Sequence, residues 1–373
     1  MSDDQEFFRD TTHRFLGTAC PTTTVRALAS TDAGFEPGYW RQGAELGWTS
    51  MLVPEAFGGG SVSGAGVVDL TIVADAFGRF VAPGPLLPTN VVASAVARAG
   101  TDEQRARLLP GLLAGDLVAT WCGAEAALGA DRAGIRAQRA DGGWVLTGSS
   151  GPVEAACEAD ELLITALGED GLVQLLVPAS ADGVTVTPLR SLDLVRRFGR
   201  VELRAATVPA GAEVGGGERT AADVERQLQE ALVVQVAEVV GAAQRTFDFT
   251  VEWAFDRYSF GRPLASYQEL KHRFADMKMW LEASHALVSA LAREVQADAP
   301  SAAETASAAK AYAGHHLAEL LHDCLQMHGG IGLTADHDLH LYLRRVTVGR
   351  SLHGTPADHR QRIAAIAAEG LAA

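Results

Sequence analysis

The chain has little of what marks metal-binding, secreted or nucleic-acid-binding proteins. Its four cysteines, Cys20, Cys122, Cys157 and Cys324, make no CxxC or CxxH spacing. They read as reduced thiols rather than disulfide partners or metal ligands. Cationic residues are outnumbered: Lys+Arg total 31 against 46 Asp+Glu, a net charge of −15. That balance disfavours nucleic acid or an anionic membrane as partner, but leaves room for an anionic small molecule at a local cationic or backbone-donor site. No uncharged apolar run reaches membrane-spanning length. The opening MSDDQEFFRDTTHRF is too charged for a signal peptide, so a cytoplasmic location is expected. His315, His316, His322, His328 and Asp323 fall on one helical pattern without H-E-x-x-H spacing, and no metal site is expected. His337, Asp338 and His340 read as a polar helix face. The glycines of VGGGE (214–218) lack a following Lys-Ser/Thr and read as a loop, and Gly58–Gly60 as a turn.

What is present is ordinary globular composition, 47% hydrophobic and 21% charged over 373 residues, long enough for more than one domain. Three regimes follow one another. Residues 1–116 alternate helical periods with turn clusters such as PEAFGGGSVSG and APGPLLP. Within them, TDEQRARLLPGLLAGD predicts a helix with Thr101 as N-cap and Gly115 at its end. Residues 117–215 carry short runs, GWVL, ELLITAL, LVQLLVP, GVTVTP and RVEL, separated by Gly, Asp and Pro. The period-two alternation of GVTVT and RVEL predicts half-buried strands. From 219 to 373 the pattern is long helices. Leu270, Phe274, Met277, Leu281, Ser284, Val288, Leu291 and Val295 follow a 4-3-4-3 spacing that packs along another helix. The next helix is expected to open on a capping box, Ser301 with Glu304, and to stop at Gly329-Gly330. The expected fold class is α+β, mainly α: an N-terminal helical domain, a middle β-domain and a C-terminal long-helix bundle.

Specific motifs lie in the last regime. RYSFGRPLASYQELKHRFADM (257–277) and LQMHGGIGLTADHDLHLYLRR (325–345) together closely resemble acyl-CoA dehydrogenases. LGWTSMLVPEAFGGGSVS (46–63) and ATWCGAEAALGAD (119–131) extend the resemblance along nearly the whole chain. In that family FAD lies at a subunit interface. The resemblance assigns Arg257, Phe260, Gln268, Gln326, Gly329 and Gly330 to the pyrophosphate and adenosine of FAD held mainly by a neighbouring subunit, and groups Thr355 with the cofactor contacts. The chemistry is apt: a guanidinium pairs with phosphate oxygens, and paired glycines admit close backbone approach.

Other family positions are not filled. The usual catalytic Glu directly before Gly-Thr is His353 here, and the alternative Glu on an earlier helix maps to Ala231, beside Glu230. One helical residue turns a side chain by about 100°, so Glu230 is no simple substitute. The family's Thr-Glu-Pro and Gly-Ser-Asp read Ala124-Glu125-Ala126 and Gly129-Ala130-Asp131. In GSSGPVEAA (148–156), Pro152 replaces an aromatic and Glu154 a hydroxyl residue that face the isoalloxazine in the family.

The erosion is one-sided. Residues that serve a neighbour's FAD are kept, and those that hold this chain's own flavin are lost. The resemblance implies a subunit that completes the FAD site of a Glu-bearing partner chain. SLDLVRRFGRVEL (191–203) and HDLHLYLRR (337–345) are similar to the shorter subunits of heteromeric acyl-CoA dehydrogenases, some of which act on steroid side-chain CoA thioesters. The implied reaction is α,β-desaturation of an acyl-CoA, with electrons leaving through an electron-transfer flavoprotein. Two alternatives stay open: a homo-oligomeric enzyme using His353 as base, and a non-enzymatic protein of the same fold. A neutral imidazole is chemically able to act as a base near pH 7.

Overall fold

The computed structural model describes residues 1–217 and 219–372; Glu218 of the VGGGE loop lies outside them. Six helices come first: α1 (Asp3–Ala19), α2 (Thr22–Ala29), α3 (Pro37–Glu45), α4 (Gly66–Phe80), α5 (Leu86–Ala99) and α6 (Asp102–Ala114). Eight strands follow: β1 (Ala119–Cys122), β2 (Ile135–Ala140), β3 (Gly143–Ser149), β4 (Val153–Glu154), β5 (Glu161–Leu167), β6 (Leu172–Pro178), β7 (Val184–Leu189) and β8 (Phe198–Pro209). Then come α7 (Arg219–Asp256), the hairpin β9 (Tyr258–Ser259) and β10 (Arg262–Pro263), α8 (Gln268–Gln296), α9 (Ala302–His328), α10 (Leu339–Ser351) and α11 (Pro356–Ala372). The architecture is the expected one of helices, a β region and a helical bundle.

Local chemistry explains several boundaries. The Thr101 hydroxyl accepts the Gln104 N–H and the Gln104 side chain accepts the Thr101 N–H, a reciprocal capping box. Gly115, at φ +73°, ends the same helix in the left-handed region that favours glycine. The capping box expected at Ser301 does not form. Ser301 already has helical dihedrals, φ −77° and ψ −10°, so its hydroxyl makes no cap bond to the first-turn N–H groups. Gly329, at φ +64°, stops α9 where the paired glycines predict.

The β region is one sheet, ordered β1-β5-β2-β3-β8-β4, with β6 added on β5 and β7 on β8. β5, ELLITAL, is buried over six of its seven residues, which is why it shows no alternation; β7 alternates between half-buried and exposed over its first four residues. The sheet has its own core, with Ile135, Leu146, Ile164, Leu175 and Val201 fully buried. A second, larger core runs through the helices and takes in Trp121, Leu163 and Leu176 from the sheet. In α8, the expected stripe is buried from Met277 through Leu281, Ser284, Val288 and Leu291 to Val295, and it packs against α7, α9 and α4.

Charge as well as apolar surface joins sheet to bundle. Arg345 of α10 donates through Nε to Asp193, in the loop before β8, and through Nη1 to Glu238 of α7. Arg196 donates to the other Glu238 oxygen at 2.6 Å and, through Nε, to Glu154 of β4 at 2.9 Å. Asp193 also accepts the N–H groups of Val195 and Arg196, each at 3.0 Å. All five side chains are buried, at most 9% exposed. Removing one member of such a cluster strands its partners without solvent. Arg345→Met is expected to cost roughly 3–5 kcal/mol of unfolding free energy. Arg41→Met, which breaks the exposed Arg41–Asp116 pair, should cost less than about 1 kcal/mol. Urea denaturation of both variants checks the contrast; equal, small effects would contradict the clamp.

Candidate active site

Two groups of residues bear on a flavin, and the fold presents them differently. The first begins where α7 ends. Arg257 is exposed, its guanidinium 5.9 Å from the centroid of the Trp253 ring. The β9–β10 hairpin turns through Phe260 and Gly261, at φ +48° and +81°, as a tight two-residue hairpin turn requires. Phe260 holds that strained geometry while 98% exposed. Gln268, at the start of α8, is exposed, with its side-chain nitrogen 3.0 Å from His272 Nε2. At the far end of α9, Gln326, Gly329 and Gly330 are all exposed, and nothing lies within 4 Å of where a Cβ on either glycine would sit. Around them Phe255, Tyr258, Ile331 and Leu333 are exposed at 43–75%. This is an open surface of cation, amide, bare backbone and apolar rings.

The second group is more tightly packed, with His353, Gly354 and Glu154 half-buried and Thr355 exposed. His353 sits at φ +53° just after α10, with its ring stacked on Trp121 of β1 at 6.1 Å and 16°. Its carbonyl accepts the His359 Nε2–H at 2.8 Å, and its Nδ1 is buried without a partner among the described residues. Burial, aided by the nearby cations of Lys310 and Arg196, pushes the imidazole pKa down to about 3. Such a ring stays neutral but is a weak proton acceptor. A Cβ on Gly354 would meet His359 at 2.8 Å and Leu128 at 3.0 Å, so the 124–128 turn of the sheet region packs directly on this spot. Thr355 is committed elsewhere: its N–H and hydroxyl both bond Asp358 Oδ2, at 2.9 and 2.6 Å, and its hydroxyl accepts the Asp358 N–H to cap α11.

Glu154 turns inward rather than toward a cleft. Arg196 ties one of its oxygens through to Glu238 on α7, and the other is buried without a partner among the described residues. Desolvation raises its pKa, against the pull of Arg196. A proton on Glu154 leaves the cluster balanced, two arginines against Asp193 and Glu238. Glu230 is likewise buried. It accepts from Ser94 at 3.0 Å and Arg226 at 2.7 Å, and borders a separate cavity of about 360 Å³ between the N-terminal helices and α7. Ala231 is fully buried and brings no carboxylate.

Sequence reasoning missed Trp121, Lys310, Arg196, Glu238 and Arg345. Lys310 of α9 is buried and donates to the Gly349 carbonyl, which Gln235 also bonds at 2.9 Å. One signal was available: Glu238 is the lone acid in the apolar run ALVVQVAEVVGAA (231–243). A buried acid there demands a cation from elsewhere in the fold.

Comparison with known proteins identifies the family and the fold. The acyl-CoA dehydrogenase N-terminal domain profile matches residues 2–116, and the C-terminal domain profile matches 222–368. The acyl-CoA dehydrogenase IpdE2 of Mycolicibacterium smegmatis is 28% identical over 366 residues, covering 98% of this chain and 99% of its own. Among solved structures, a Tcur3481–Tcur3483 steroid ACAD variant superposes with a TM-score of 0.90 at 28% identity, over 100% of this chain and 99% of that one. The ChsE4–ChsE5 complex from Mycobacterium tuberculosis gives 0.88 at 26%, over 99% and 98%. A Mycobacterium smegmatis glutaryl-CoA dehydrogenase in complex with FADH2 shares the fold, with 0.84 at 22%, over 98% and 94%.

The stacked, half-buried His353 ring makes a spectroscopic prediction. A folded pKa below the ordinary 6.5 means its contribution to stability is complete above pH 6.5 and is lost as pH falls toward about 3. Its ring proton resonances should therefore not titrate between pH 5 and 8. A midpoint near 6.5 in an NMR titration, assigned with His353→Phe, would contradict the closed geometry.

Proposed function

The chain belongs to the acyl-CoA dehydrogenase family of oxidoreductases, whose cofactor is FAD, and from that premise we propose that it is the subunit that completes the FAD site of a catalytic partner chain. The observation that carries this reading is the contrast between the two groups. The Arg257 and Gln326–Gly330 surface lies open, while Glu154 is drawn through Arg196 onto Glu238.

The residues fit a cofactor on one side only. On the open side, the Arg257 guanidinium can pair with phosphate oxygens, Gln326 can donate its amide, and the bare Gly329–Gly330 backbone lets a ligand approach closely. The exposed rings of Phe255, Tyr258 and Phe260 suit burial against a second chain. On the other side, Trp121 stacks on His353, Leu128 packs against Gly354 and Arg196 bonds Glu154, and no step is assigned to a flavin there. FAD held by the partner would accept the electrons of acyl-CoA α,β-desaturation and pass them to an electron-transfer flavoprotein. The base would be a Glu of that partner. A homo-oligomer with His353 as base finds less support, because the imidazole is stacked under Trp121 and holds a proton poorly. Relatives include proteins named as steroid-acting or as two-chain complexes, which supports a CoA thioester with a bulky acyl group as the assembled enzyme's substrate.

Expressed alone, this chain is expected to purify without stoichiometric FAD and to lack acyl-CoA dehydrogenase activity; co-expression with a Glu-bearing family member should restore both. In the assembled complex, Arg257→Ala should lower FAD retention, whereas His353→Ala should leave most of the activity. Loss of a general base costs about 10²–10⁴-fold in rate, so a drop of that size with His353→Ala would refute the assignment. Unchanged FAD content in Arg257→Ala would refute the role of the open surface.

A further inference from the structure

Behind the Gln326–Gly330 turn lies a group of rings that no part of the reading above uses. His328 stacks on Trp253 of α7, with centroids 5.3 Å apart and planes at 17°. The Trp253 Nε1–H donates to the Met327 carbonyl at 3.2 Å, inside the turn itself. Phe249 meets the edges of His328 and His337, both at 5.7 Å, and the two imidazoles lie with centroids 4.6 Å apart and planes tilted by 59°. His337 and Asp338 precede α10 and are partly buried, as is His340 within it. The polar face that the sequence suggests is half-buried, and His337 and Asp338 lie just before α10 rather than within it.

Their partners fix the tautomers. His328 Nδ1 lies 2.8 Å from the Cys324 carbonyl, which can only accept, so the proton is on Nδ1 and Nε2 is a bare lone pair. That Nε2 is buried with no partner among the described residues. His337 Nδ1 accepts the Leu339 N–H at 3.1 Å, so its proton is on Nε2. His340 Nε2 lies 3.2 Å from Arg26, a pure donor, and is again a lone pair. A second proton on His328 would have no acceptor. One on His337 would face a backbone N–H at the positive start of α10, and one on His340 would face the Arg26 guanidinium. Burial is the leading cause that lowers all three pKa values. Asp338 favours the proton on His337 and His340, and Arg26 opposes it on both, joined by Arg344 at His340. Among the described residues, His337 is the charged or titratable neighbour that bears on His328, and the bond to the Cys324 carbonyl works the other way.

We propose that His328 and His337 are positioning residues that hold the Gln326–Gly330 turn in the shape that meets a neighbouring chain's cofactor phosphates, and that they do so as an adjacent neutral pair. This rests on the subunit reading above. Because the folded pair disfavours protons, its contribution is complete above about pH 6.5 and is lost as pH falls below it.

The test uses the full chain and two substitutions that do not titrate. His328→Phe keeps a ring on Trp253, and His337→Asn keeps an oxygen able to accept the Leu339 N–H. Hydrogen exchange of the 323–340 segment is measured on the chain alone at pH 7.5 and 5.0, normalised to an unstructured peptide of the same sequence. Wild type should lose protection at pH 5.0, and the double variant, which keeps His340, should lose markedly less. Equal wild-type protection at both pH values, or the same loss in the double variant, overturns the proposal. FAD retention by the complex with a Glu-bearing chain is then followed over the same range. It should fall in wild type and hold in the double variant; parallel loss in both overturns the positioning role. A pH-sensitive turn in a chain that captures neither a Glu-bearing partner nor FAD at pH 7.5 would instead overturn the subunit reading, with the pair's effect on the turn established.

Discussion

Two buried arginines sharing one glutamate set the terms for everything else in this fold. Glu238 accepts from Arg345 through one oxygen and from Arg196 through the other, and each arginine continues to a second acid, Asp193 or Glu154. Each member of this chain of charges is at most 9% exposed, so each needs the others. The geometry spans α7, α10, β4 and the loop before β8. It therefore fixes the sheet on the bundle at the place where the family resemblance puts the flavin ring. The cost of burying these charges is met by mutual pairing, and the result is a closed interior rather than a cleft.

That closure gives the one-sided loss of family motifs a physical basis. With Glu154 bonded to Arg196 and Trp121 stacked on His353, position 154 offers no hydroxyl and position 353 no carboxylate on this side. The open side is under different demands. Phe260 sits almost wholly exposed at a positive φ, and Gly329 and Gly330 leave bare backbone beside Arg257. An isolated chain gains nothing from an aromatic ring held strained in water. A chain that meets a partner there would gain apolar burial and phosphate contacts together. The imidazole pair behind the turn fits the same demand, because under the proposal above it would hold one of the segments that a partner's cofactor would touch.

Much of this was legible in the sequence, for reasons that differ by element. The α8 stripe, the Thr101 cap and the strands of the sheet follow from local periodicity and cap chemistry, which short stretches encode. Motif spacing picks out Arg257, Phe260 and the glycine turn, and the fold leaves all of them exposed. The ionic clamp was not, because Arg345 meets Asp193 and Glu238 across separations of 152 and 107 residues, which no local rule links. Only the lone Glu238 in an apolar helix hinted at it. Ser301 misled for the opposite reason. Its capping pattern was present, but the incoming turn had already given it helical dihedrals. Glu154 could be recognised as out of place, yet its direction needed the position of Arg196.

The central claim is that each copy of this chain contributes to a flavin site without containing one. Flavin content of the purified assembly tests it most directly. FAD released from the complex with a Glu-bearing partner is quantified by absorbance against the amount of each chain, determined by quantitative amino-acid analysis or mass spectrometry. The account predicts one FAD per pair of unlike chains, with none attributable to this chain. One FAD for every chain, or a fully flavinated assembly of this chain alone, would contradict it.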